Sequence, residues 1–150
     1  MRIAFASDHA GFPHKDILAQ MCRDLGHDVI DLGPDSGDNS VDYPDYAFPV
    51  AEMVGRGEAD RGVLVCGTGI GMSIAANKVP GIRALNVTIP EFAILSREHN
   101  NANVITLSGR FIDIETNKEI LKNFLSTEFV GGRHQNRLDK VTAKEPNERN

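Results

Sequence analysis

The stretch from Gly62 to Lys78 constrains the fold more than any other. An apolar run, Gly62-Val63-Leu64-Val65, leads into Cys66-Gly67-Thr68-Gly69-Ile70-Gly71-Met72, and small residues of helical character follow at Ser73-Ile74-Ala75-Ala76. This reads as strand, glycine loop, helix. Glycines at alternate positions let the backbone curl, so that successive amide N–H groups converge on an anion. A structural tight turn would show the same spacing. The first loop residue is a cysteine at the carboxyl end of the strand, a placement expected to lower its thiol pKa. A small buried hydrophobe is the other fate open to Cys66. The better-known glycine motifs fail. Met72 stands where a dinucleotide fingerprint needs its third glycine, no Gly-Lys-Ser/Thr is present, and no arginine lies six residues after Cys66.

Around this unit, short apolar runs alternate with amphipathic stretches. Strands are expected over residues 2 to 6, 27 to 32, 62 to 65, 83 to 87 and 104 to 107. Helices are expected around Ile17 to Leu25, Ala47 to Val54, Ile74 and Ala75, Pro90 to Asn100, and Ile114 to Leu125. Gly26 is placed to end the first helix, and Cys22 falls on its core stripe. Alternating strands and helices predict an α/β fold: a single-domain three-layer α/β/α sandwich on a five-stranded parallel sheet. In such folds ligands bind beyond the carboxyl ends of the strands. Asp8 and His9 after strand one, Cys66 and Thr68 after strand three, and Arg110 after strand five are therefore expected on one rim. The domain is expected to span residues 1–141, with 142–150 a polar tail.

Composition limits the rest. The 150 residues carry a formal net charge of −5, with 41% hydrophobic and 25% charged residues. That suits a globular domain and disfavours nucleic acid or membrane surfaces as partners, so an anionic ligand needs a local basic pocket. Two cysteines form no disulfide framework, and no zinc-type cluster is visible, so neither metal nor cofactor is expected. The N-terminal apolar stretch is too short for a signal-peptide core, and a reducing cytoplasm fits best.

His9 lies in Ser7-Asp8-His9 and His99 in Arg97-Glu98-His99-Asn100, contexts that suit either a polar cluster or solvated side chains; His14 and His27 read as surface residues. Arg133 and Arg137, four apart, would share one helix face and suit a phosphate, or simply make an exposed basic helix end. A potential thiolate base, oxyanion-stabilising amides, histidines and arginines together suit proton transfer alpha to a carbonyl, as in aldose–ketose isomerisation.

At these residues the chain resembles the type B ribose-5-phosphate isomerases, in the family that also holds allose- and galactose-6-phosphate isomerases. The motifs are Ser7-Asp8-His9-Ala10-Gly11-Phe12, Asp42-Tyr43-Pro44, Cys66 to Lys78, Ser96-Arg97-Glu98-His99-Asn100 and Gly131-Gly132-Arg133-His134-Gln135, in order across residues 2 to about 143. The resemblance implies a Rossmann-like sheet and a cofactor-free interconversion of ribose 5-phosphate and ribulose 5-phosphate in the pentose phosphate pathway. It implies Cys66 as the base between C2 and C1, and His99 with Thr68 in ring opening. Asp8, His9 and Asn100 would contact the sugar phosphate. The amides of Gly67, Thr68, Gly69, Ile70 and Gly71 would hold the enediolate, and Arg110, Arg133 and Arg137 the phosphate. It also implies a homodimer or homotetramer with a shared site, to which the neighbour of the chain supplying Cys66 could give His99, Asn100 and Arg110. One family branch places a glutamate further into the loop, but Ser73, Ile74 and Ala75 offer no carboxylate. A hexose phosphate as substrate, or a non-catalytic phosphosugar-binding module, are the other readings.

Overall fold

A computed structural model describes residues 1–146. Five strands form one parallel sheet in the order β2-β1-β3-β5-β4. They are β1 (Arg2–Ser7), β2 (Asp28–Asp31), β3 (Arg61–Cys66), β4 (Ala84–Asn86) and β5 (Val104–Ser108). Alternation along the strands divides the core, because successive side chains point to opposite faces. Ile3, Phe5, Val63, Val65, Ile105 and Leu107 pack against α1 (Phe12–Asp24), α4 (Pro90–Asn100) and α5 (Ile114–Ser126). Ala4, Ala6, Leu64, Cys66 and Val104 face α2 (Tyr43–Gly55) and α3 (Ile70–Ala76). The three layers are those the alternating pattern predicts, and Cys22 is fully buried among them.

Local chemistry sets the helix ends. Prolines sit in the first turn of α1, α2 and α4, where a missing N–H costs no helical bond. Gly26 takes φ +88° just past α1, the left-handed turn that stops a helix. A sixth helix, α6 (Arg133–Thr142), follows Gly131-Gly132 and ends one residue beyond the expected domain boundary. Glu145 then accepts a hydrogen bond from the Gly81 amide, tying the start of the polar segment to the domain. The remaining tail, 147–150, lies outside the described residues. Among the described residues no helix is long and apolar enough to cross a membrane.

From β1 the chain crosses to β2 on one side, and from β3 it crosses to the far edge at β4 before returning to β5 on the other. The topological switch point therefore lies between β1 and β3, the place where open α/β sheets bind ligands beyond the carboxyl ends of their strands. Asp8-His9 and Cys66-Gly67-Thr68 follow those two strands.

Candidate active site

Cys66 ends β3 with only 5% of its surface exposed, and its Sγ accepts a hydrogen bond from the Gly69 amide at 3.1 Å. Gly69 adopts φ +81°, which turns that amide back toward the sulfur while starting α3. Thr68 Oγ1 accepts from the Ile70 amide at 3.1 Å. The amides of Gly67, Thr68 and Gly71 take no partner among the described residues, so the loop presents unsatisfied donors around the thiol. Burial pushes the other thiol, Cys22, up to about 11, which leaves it inert at neutral pH.

The loop is held from the β5 side. Thr106 donates to the Gly69 carbonyl at 2.8 Å and Ser108 to the Gly67 carbonyl at 2.7 Å; the Gly109 and Arg110 amides reach the Cys66 and Gly67 carbonyls. Arg110 then lays its side chain over Gly67, with Nη1 at 3.6 Å from where a Cβ there would stand. Arg110 thus lies beside the Cys66 loop of its own chain. The Tyr43 ring fills the space over Gly71, within 2.7 Å of a Cβ position, and joins the site as a residue to which the sequence pattern gives no role. Its one signal is Asp42-Tyr43-Pro44 at a helix start.

Asp8 accepts from the Gly11 amide at 2.9 Å, shaping the turn after β1 through one oxygen and leaving Oδ2 without a partner among the described residues. His9 Nδ1 accepts from the Val41 amide at 3.2 Å, which places its N–H on Nε2. The Gly33 to Val41 loop is itself tied down by Lys15, whose ammonium binds both Asp31 oxygens and the Pro34 carbonyl. Asp8, His9, Cys66, Thr68 and Arg110 share one rim, as expected.

The remaining candidates lie elsewhere. α4 starts near the carboxyl rim but ends at the amino rim, where the Asn103 amide reaches the Arg83 carbonyl and the Gly62 amide reaches the Asn103 carbonyl. His99 and Asn100 are its last residues. Buried Arg97 fixes that end through the Thr127 carbonyl at 3.1 Å, Asn101 Oδ1 at 2.9 Å and the Ala102 carbonyl. α6 packs beside it, with the His134 ring stacked on His99, and carries Arg133 and Arg137 exposed on one face. Burial, reinforced by His99, Arg133 and Arg137, holds His134 below the usual imidazole pKa. The six residues of β3 put about 17 Å between the two rims. Within one chain, Cys66 and His99 therefore lie at opposite rims of the sheet. Clefts of about 620 Å³ beside Phe48 and Lys78 and about 640 Å³ between α1 and α5 contain none of these residues.

A family model described as ribose/galactose isomerase matches residues 3–141. Ribose-5-phosphate isomerase B of Escherichia coli (strain K12) is 45% identical over 144 residues, 96% of this chain and 96% of that protein. D-erythrulose-4-phosphate isomerase of Pectobacterium atrosepticum is 39% identical over 142 residues, 94% of this chain and 93% of its own length. Among solved structures, ribose-5-phosphate isomerase B from Mycoplasma genitalium with bound ribulose-5-phosphate has a TM-score of 0.93 at 45% identity, covering 96% of this chain and 95% of that one. By sequence across nearly its whole length, and by fold, the chain belongs to the ribose/galactose isomerase family.

Proposed function

We propose that the chain interconverts D-ribose 5-phosphate and D-ribulose 5-phosphate, a step of pentose phosphate metabolism, as a homodimer that builds each site from both copies. The observation that carries this reading is the Cys66 sulfur at the switch point, held by the Gly69 amide and flanked by loop amides with no other partner. In the thiolate form Cys66 removes the C2 proton of the open-chain sugar and returns it at C1. The amides of Gly67, Thr68 and Gly71 hold the negative oxygens of the enediolate, which they stabilise more than the neutral carbonyl. Asp8 Oδ2 and His9 Nε2–H are the polar groups left for the sugar and its phosphate, and Arg110 adds a fixed positive charge beside the loop.

His99 and Asn100 complete the site from a second copy, with Arg133 and Arg137 as the paired forks for phosphate. His99 then serves ring opening with Thr68. A two-fold arrangement brings the carboxyl-rim half of one copy to the amino-rim half of the other, and does so twice. Ile70 and Ile74 of α3, Phe92 and Leu95 of α4, and Phe111 after β5 are exposed apolar residues that such an interface would cover.

The test is a cofactor-free isomerisation assay with ribose 5-phosphate, D-erythrulose 4-phosphate and allose 6-phosphate side by side. The expected result is a preference for ribose 5-phosphate that Cys66→Ala abolishes while phosphosugar binding survives. Preference for another sugar phosphate reassigns the substrate, and full turnover in Cys66→Ala removes that residue as the base.

A further inference from the structure

His14 reads as a surface residue in the sequence, yet it ends a buried polar chain that reaches the glycine loop. Asn117 on α5 is fully buried, and its Nδ2 donates to the Ser108 carbonyl at 2.8 Å. The other Nδ2 proton faces His14 Nδ1 at 3.0 Å. Oδ1 of the same carboxamide is buried without a partner. The Ser108 carbonyl fixes the orientation, since a turned carboxamide would set oxygen against oxygen. His14 Nδ1 must therefore accept, which requires a neutral imidazole with its proton on Nε2.

Ser108 passes the constraint on. With its carbonyl held by Asn117, its hydroxyl donates to the Gly67 carbonyl at 2.7 Å and accepts from the Phe111 amide at 3.0 Å. Those two bonds clamp the first residue after Cys66 to the turn that carries Arg110. We infer that His14, Asn117 and Ser108 are positioning residues that hold Gly67 and Arg110 in place for a phosphorylated substrate, and that this relay is complete only while His14 is uncharged. A protonated His14 would point N–H at N–H, and the contact would have to open.

The charges around His14 are few. Asp113, at the start of α5, favours its cation, while burial opposes the cation and outweighs it. Lys15, next on α1, is engaged by Asp31 and Asp16, and Lys118 of α5 pairs with Glu115. Acidification is therefore expected to break the relay at its outer end and loosen Arg110, raising KM for a phosphorylated substrate more than it lowers kcat.

The inference rests on the isomerase reading for its kinetic readout alone. The test follows the His14 ring signals and the Gly67 and Arg110 amide signals by NMR from about pH 8 to about pH 5, in the intact protein and in His14→Leu and His14→Asn. Both amides are expected to titrate with the His14 midpoint in the native protein. That transition should vanish in His14→Leu, with KM for ribose 5-phosphate raised about 3- to 10-fold at neutral pH. His14→Asn, whose Oδ1 stands where the imidazole Nδ1 does and accepts from Asn117 at every pH, should restore KM and make it insensitive to pH over this range. Amide transitions that persist in His14→Leu, or a KM that Ser108→Ala leaves unchanged, would overturn the relay. Absence of turnover on any sugar phosphate would sink the isomerase reading, and the amide titrations would still decide the relay.

Discussion

The imidazole of His134 lies flat against that of His99, with ring centroids 4.3 Å apart and planes 11° from parallel. His134 is 8% exposed and anchored in the first turn of α6, where its amide reaches the Gly131 carbonyl at 3.2 Å. It is thus a fixed plate against which the end of α4 orients His99. Stacked aromatic pairs contribute about 0.5–1.5 kcal/mol beyond area burial. His134→Ala is expected to lower kcat/KM on the cyclic sugar about 2- to 10-fold by releasing His99. His134→Phe keeps the stack and should retain most of the rate. Equal losses in both variants would mean that the His134 nitrogens act directly.

Acid stability carries a defined sign. Burial leads the causes that lower the pKa of His14, His27 and His134. In the unfolded chain these imidazoles take up protons near their ordinary value of about 6.5, while the folded chain resists until lower pH. Between those values the unfolded state binds more protons, so stability falls as pH drops below about 6.5. Urea midpoints measured at about pH 7.5 and about pH 5.5 should show the loss, and His14→Leu should reduce the difference. A midpoint that rises on acidification would contradict the assignment.

Gly11 is fixed by contact rather than by conformation. A Cβ there would stand 2.2 Å from the Val65 carbonyl oxygen and 2.9 Å from the Cys66 nitrogen, all backbone of the central strand. Gly11→Ala would force β3 away from the turn that Asp8 shapes, at a cost of about 3 kcal/mol or more. The expected outcome is a large fall in denaturation midpoint or no soluble protein. Near-native stability would show that the turn moves independently of the strand.

The carboxyl rim is legible in the sequence because its signals are local. Strand, alternate glycines and small-residue helix are consecutive from Gly62 to Ala76, and strand ends can be read one at a time, so Asp8, Cys66 and Arg110 fall on one edge. Strand order is not legible in this way, because a central β3 depends on pairings between runs distant in the chain. The His14–Asn117 contact spans 103 positions, and a lone histidine on a helix gives no sign of it. Tyr43 over Gly71 and His134 against His99 are hidden for the same reason. Their motifs are visible but their partners are not. The end of α4 can be expected at Asn100, yet its placement at the amino rim follows only from how α4 crosses back over the sheet.

The separation of Cys66 from His99 within one chain makes a sharp prediction about mixing. Both Cys66→Ala and His99→Asn should be inactive on ribose 5-phosphate as homodimers, since each site would lack one half. A mixed dimer has one site carrying both substitutions and one carrying neither. Unfolding and refolding the two variants together at equal concentration should therefore restore activity, to about a quarter of the native level if subunits pair at random in a two-fold dimer. Each variant refolded alone serves as the control. If the mixture stays inactive although mixed dimers form, as native mass spectrometry would detect, then Cys66 and His99 do not meet across subunits, and ring opening must be assigned to a group on the carboxyl rim, with His9 the first to substitute.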